Sequence, residues 1–142
     1  MLTISDCMTP HPFTVGHDIK LSVAHEMMRK HRVRHLPVLD AGRLVGVLSQ
    51  RDLYYRETFT DAKVGDVAVE EAMTIDPYAV EATAPLADVA REMIRRRLGS
   101  ALVVEHGKVV GIFTALDGLR ALAASEGNGA ARPLAESAPL ET

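Results

Sequence analysis

A chain of 142 residues is long enough for one compact domain with a sizeable core, and a composition 47% hydrophobic and 25% charged excludes a disordered chain. A formal net charge of -3 creates no overall field for nucleic acid or anionic membrane, and no apolar run approaches the roughly 20 residues that span a bilayer. The single cysteine, Cys7, excludes an internal disulfide, and no basic-then-apolar signal peptide opens the chain, so a cytoplasmic location is expected.

In chain order, Leu21, Ala24, Met27, Met28 and His31 follow i, i+3, i+4 spacing, which predicts an amphipathic helix from about 20 to 32. A short apolar strand, Leu36 to Leu39, then a turn at Asp40-Ala41-Gly42-Arg43, leads to a second strand, Leu44 to Leu48. A helix begins at Ser49-Gln50-Arg51-Asp52. The series then restarts. Pro85 to about Arg97 is the next predicted helix, with Leu86, Val89, Ala90, Met93 and Ile94 on its buried side and Pro85 in its first turn. Ala101 to Val104 and Val109 to Phe113 are strands around a His106-Gly107-Lys108 turn, and a last helix begins at Thr114-Ala115-Leu116-Asp117.

This is one pattern written twice, 65 residues apart and without gaps. Met8-Thr9 recurs as Met73-Thr74, Pro12 as Pro77, Val15 as Val80, Leu21 as Leu86 and Met28 as Met93. Val38/Val103, Gly42/Gly107, Val45/Val110, Gly46/Gly111 and Asp52/Asp117 continue it. Gly42 and Gly107 suit the positive φ of a tight hairpin turn. Gly46 and Gly111 mark a bulge or a close approach in mid-strand. One copy has too little structure to cover both faces of its sheet, so the two copies are expected to pack sheet to sheet. The expected division is 3–58 for the first repeat, 59–68 for a connector, 69–124 for the second repeat and 125–142 for a flexible tail.

The ordered set resembles the tandem CBS-domain pair, or Bateman module, over about residues 3 to 124. Its carriers are Met8-Thr9-Pro10, His35-Leu36-Pro37-Val38-Leu39-Asp40 with Gly42, and Gly46 through Leu53. In the second copy they are Met73-Thr74, Gly107 and Gly111 through Asp117. The resemblance implies an α/β (α+β) fold of two pseudo-symmetric repeats, each a small sheet with flanking helices. It also implies a stand-alone regulatory protein without enzymatic activity, forming a disc-like homodimer and needing no cofactor. Its regulatory ligand would be AMP, ADP, ATP or S-adenosylmethionine, held in clefts between the repeats, and its regulated partner protein is unknown. Leu102 stands where the first copy has Pro37, and Leu116 where it has Arg51, so the two clefts are expected to differ.

Ser49 to Asp52 and Thr114 to Asp117 carry the candidate chemistry. A hydroxyl three residues before an acid at a helix start is the spacing of a capping box. The same carboxylate suits a ribose, because its two oxygens can accept from a vicinal diol. The two roles are compatible. The family's pseudo-symmetry implies a first site of Thr14, Val15, Arg34, His35, Leu36 and Pro37 with Ile112, Thr114 and Asp117. It implies a second of Val47, Ser49, Arg51 and Asp52 with Ala79, Val80, Gly99, Ser100 and Ala101. Val15, Ile112, Val80 and Val47 would sandwich adenine between apolar faces. Arg34 and His35, against Gly99 and Ser100 in the second copy, make the Asp117 cleft the expected phosphate site, although Arg34 also suits a solvated helix end and His35 a ring packed or exposed without a ligand.

Other groups read as structural. Arg95-Arg96-Arg97 complements a helix dipole, and without interleaved aromatics it is no nucleic-acid patch. The six histidines lack paired metal-ligand spacing, and Met27, Met28 and Met93 read as core filler. The rival reading is a ligand-free interaction module that acts by dimerisation alone.

Overall fold

The computed structural model describes residues 1–59 and 66–127. Among the described residues five α-helices, α1 (Ile4–Cys7), α2 (Leu21–His31), α3 (Gln50–Phe59), α4 (Leu86–Arg96) and α5 (Ala115–Gly127), surround two four-stranded sheets. The strands are β1 (Thr9–Pro10), β2 (Val15–Gly16), β3 (His35–Asp40), β4 (Arg43–Ser49), β5 (Thr74–Ile75), β6 (Ala79–Val80), β7 (Ser100–Glu105) and β8 (Lys108–Thr114). Most of the predicted connector, and the chain beyond Gly127, lie outside the described residues. α5 itself runs past Ser125, where the sequence reading starts the tail.

Each long hairpin closes on two left-handed residues, Ala41 (φ 52°) with Gly42 (φ 83°), and His106 (φ 52°) with Gly107 (φ 78°). Two successive positive φ values match the strand twist, so these turns set the β3–β4 and β7–β8 registers. The register shifts by one between Val38 and Leu39 and again between Val103 and Val104, in each case beside the mid-strand glycine. The glycines also permit a close approach. A Cβ on Gly46 would lie 2.5 Å from the Met73 sulfur and 2.8 Å from the Thr74 carbonyl oxygen, and one on Gly111 would collide with the Met8 sulfur.

Those contacts show an exchange between the copies. Strand order in one sheet is β2-β3-β4-β5 and in the other β1-β8-β7-β6. The Met-Thr strand of each sequence copy thus pairs antiparallel with the long hairpin of the other, β1 on β8 and β5 on β4. The cores follow the sheets. Ile4, from the start of the chain, packs with Val89, Met93, Ala101, Val103 and Phe113, whereas Val69 packs with Leu21, Met28, Leu36, Val38 and Leu48. β4 and β8 touch where the sheets face each other.

The helices match their periodicity with one exception. Leu21, Ala24 and Met28 of α2, and Val89 and Met93 of α4, are buried. Ile94 is 77% exposed, contrary to its expected place on the buried side. It lies one residue round from the Leu86-Val89-Met93 stripe, and the core ends there. Pro85 is the N-cap of α4, with extended ψ 133°, and not part of its first turn. Arg32 and Arg97 end α2 and α4 in left-handed geometry, and the next amides, Val33 and Leu98, bond back to Met28 and Met93 at 3.0 and 2.9 Å.

Candidate ligand-binding site

Each candidate acid sits where a long strand turns into a helix. β4 ends at Ser49 and α3 begins at Gln50, and the Gln50 amide donates to the Arg34 carbonyl at 2.8 Å. The Ser49 amide donates to Asp52 Oδ2 at 2.9 Å, and the Asp52 amide donates back to Ser49 Oγ at 3.1 Å. The capping reading therefore holds. It uses one carboxylate oxygen and leaves Oδ1 without a hydrogen bond among the described residues.

Asp52 lines a cavity of about 670 Å3, within the usual span for small-ligand pockets. Val47, Ser49, Gln50, Arg51 and Asp52 form one wall, and Arg34 and His35 the next. The second copy supplies Thr74 through Tyr78 and Arg96 through Ser100. The cavity thus brings together Val47, Ser49, Arg51, Asp52, Gly99 and Ser100 of the second expected site. It adds Arg34 and His35, which the sequence reading grouped with Asp117. The reason is register: His35 lies opposite Ser49 on β3–β4, which brings Arg34 and His35 to the same sheet end as Asp52. The His35 ring also lies against Gly99, 3.1 Å from where a Cβ would stand.

Charge is concentrated here. Arg34, Arg51, Arg96 and Arg97 line the cavity with two acids, Asp52 and Asp76. Arg96 lies 5.0 Å from the Tyr78 ring centroid, an arrangement that holds the guanidinium at the wall. Burial holds the His35 imidazole below the ordinary histidine range, Asp52 pulls it up and Arg34 pushes it further down. Arg96 and Arg97 were assigned to the helix dipole on sequence alone. Their signal was the helix end, because the left-handed turn at Arg97 directs the chain across the cleft. Ile75, Pro77, Tyr78 and Leu98 are further lining residues that the repeat pattern did not single out.

The equivalent place in the second copy is built differently. Asp117 is 4% exposed, and both its oxygens are occupied. Oδ2 accepts from the Thr114 amide at 2.9 Å and the Thr114 hydroxyl at 3.1 Å. Oδ1 accepts from Thr9 Oγ1 at 2.9 Å and Arg120 Nη1 at 3.1 Å. Of the other residues expected around it, Val15 and Leu36 are buried in the first core and Ile112 is 6% exposed. Pro37 is fully buried opposite Val47, and Thr14 is half-buried. Ala101 is wholly buried in the second core and Val80 packs against it. Ala79 lines a different hollow, of about 620 Å3, between the two hairpin tips. Among the described residues no group of three His, Cys, Asp or Glu side chains could hold a metal ion, and no helix is long and apolar enough to cross a membrane.

A family model of the CBS domain matches residues 4–56 and 64–124. Inosine-5'-monophosphate dehydrogenase of Korarchaeum cryptofilum is 31% identical over 105 residues, 73% of this chain, and the aligned part is only 21% of that protein's length. The structure is similar to the CBS domain pair of protein MJ0100, crystallised with 5'-methylthioadenosine and S-adenosyl-L-methionine (TM-score 0.80, 26% identity, 88% of this chain and 98% of that one). It is also similar to CBSX2 in complex with AMP (TM-score 0.75, 30% identity, 89% and 99% covered), a CBS-pair protein from Arabidopsis thaliana. With two matched segments, two exchanged sheets and the acid-ended hairpins in place, the chain belongs to the CBS-domain family as a tandem CBS pair.

Proposed function

We propose that the chain is a regulatory module, not an enzyme, that binds an adenosine-containing ligand of the AMP, ADP or ATP class in the cleft at Asp52. The observation that carries this reading is the cavity itself: a carboxylate with an open oxygen at a helix start, an apolar wall and four arginines. Asp52 Oδ1 would accept from the ribose hydroxyls, Val47, Ile75 and Tyr78 would cover the base, and the guanidinium groups would hold phosphate. S-Adenosylmethionine shares the adenosine part but brings a cation towards the arginines, which favours the phosphorylated ligands. Titration calorimetry with AMP, ADP, ATP and S-adenosylmethionine tests this. The expected result is phosphorylated ligands binding tighter than S-adenosylmethionine. No heat from any of them at about 1 mM, a concentration that detects even weak binding, would sink the reading.

Signalling would pass through a homodimer. Leu116, Leu119 and Leu122 stand 55%, 62% and 57% exposed along α5, an apolar stripe suited to a second copy of the chain. Ligand can shift the geometry of such a dimer only by binding its two states unequally. Sedimentation of Leu119→Glu should show a monomer where the wild type is a dimer. A wild-type monomer at all concentrations would end the dimer proposal and leave the binding proposal standing.

A further inference from the structure

We infer that Asp117 is a structural latch and not a second ribose acceptor, so that each chain takes one nucleotide, at Asp52. The stoichiometry rests on the nucleotide reading of the Asp52 cleft; the latch does not. Asp117 joins three elements through its carboxylate: Thr9 of β1, Thr114 at the end of β8 and Arg120 of α5. A ribose diol would have to displace the Thr9 hydroxyl and the Arg120 guanidinium from a carboxylate that is 4% exposed.

The latch is specific to this half. Arg120 sits three residues beyond Asp117, and the residue three beyond Asp52 is Tyr55, which carries no cation. Thr74 is the repeat counterpart of Thr9, yet among the described residues it makes no hydrogen bond to Asp52 and instead lines the cavity. The latch also has mechanical meaning. β1 is only two residues long, and it is tied to β8 by the strand pairing and to α5 by Thr9. Releasing Asp117 should therefore loosen the first ten residues.

Two measurements on the full chain decide this. In calorimetry with ATP, wild type should bind one equivalent per chain, and Asp52→Asn should weaken that one site by at least about tenfold. Two equivalents in wild type, or wild-type affinity in Asp52→Asn, would overturn the single-site claim. In amide exchange without ligand, Thr9→Val and Asp117→Asn should speed exchange at Met8 and His11 by about tenfold, with Val69 and Met73 unchanged. Thr9→Ser should restore protection. Unchanged exchange in both variants would overturn the latch. If wild type binds neither ATP, AMP nor S-adenosylmethionine, the nucleotide reading and the stoichiometry fail together, and the exchange result still decides the latch.

Discussion

The two halves of this chain share a repeat and a fold, and they treat the same carboxylate in opposite ways. Asp52, in the wall of a cavity, caps its helix with one oxygen and leaves the other without a hydrogen bond among the described residues. Asp117 makes the equivalent cap and is then closed by Thr9 and Arg120. The surrounding positions diverge in the same direction. Arg51 and Arg96 both line the Asp52 cavity, and their repeat counterparts are Leu116 and His31. His31 stacks on Phe13 with ring centroids 3.7 Å apart, as Arg96 lies over Tyr78, the counterpart of Phe13. The aromatic platform is present in both halves, whereas three of the four cavity arginines, Arg34, Arg51 and Arg96, have the uncharged or weakly basic counterparts Gly99, Leu116 and His31. Equivalent positions in a repeat thus need not carry equivalent chemistry.

Removing each acid in turn should separate the two halves most widely. Asp52→Ala should weaken nucleotide binding by about 10- to 100-fold, the loss of hydrogen bonds to a charged group, while Asp117→Ala should leave it within about twofold. Equal losses in calorimetry would mean that the halves are equivalent ligand sites after all.

Next come the paired glycines. Gly46→Ala drives a Cβ into the Thr74 carbonyl, a backbone atom fixed by the β4–β5 pairing, as well as into Met73. At Gly111 the three nearest atoms to a new Cβ all belong to the flexible Met8 side chain. Urea unfolding should show a loss of about 2–3 kcal/mol for Gly46→Ala and about 1 kcal/mol for Gly111→Ala. The reverse order would show that the first Met-Thr strand is held more firmly than the second.

The two left-handed arginines give a smaller contrast. Arg97→Ala should cost roughly fivefold in ATP affinity, less at high salt, because a partly exposed charge is screened. Arg32→Ala, at the equivalent place in the other half, should cost nothing measurable in the same titration.

The smallest effect is on pH dependence, where two histidines act with opposite sign. The His17 ring donates from Nδ1 to Glu70 Oε2 at 2.5 Å and lies 3.4 Å from Asp40, and these acids raise its pKa, the Glu70 hydrogen bond most of all. Its contribution is fully present below the unfolded histidine value of about 6.5 and is lost as pH rises through the elevated folded value. His35 is lowered by burial, so its contribution is present above about 6.5 and is lost as pH falls through the depressed folded value. Melting temperatures across pH 5 to 9 should therefore show His17→Gln flattening the alkaline side and His35→Gln flattening the acid side. A nucleotide phosphate beside His35 would raise its pKa, so ATP affinity should climb on acidification in wild type and climb less in His35→Gln.

Much of the fold was legible in the sequence because its signals are local. Helix α2 follows from the spacing of Leu21, Ala24 and Met28, and the hairpins follow from Gly42 and Gly107. The register shift beside Gly46 and Gly111 could be read from a glycine in an apolar strand. The Ser49 and Thr114 caps were equally visible, since a capping box spans only four residues. Ile94 was misplaced because periodicity cannot say where a core stops, and the Arg96–Arg97 pair was undervalued because a helix end looks the same whether it faces solvent or a cleft.

The sequence alone determined that this protein is two similar units with an acid at each hairpin-to-helix junction. The 65-residue repeat, the turn glycines and the helical spacing are properties of neighbouring residues. Which acid is open was settled by the packing of the two copies. That choice depends on the exchange of β1 and β5 between the sheets and on Thr9 reaching Asp117 across 108 residues of chain. A carboxylate's availability is set by what packs against it, and pattern within one segment carries no record of a partner brought in by the fold.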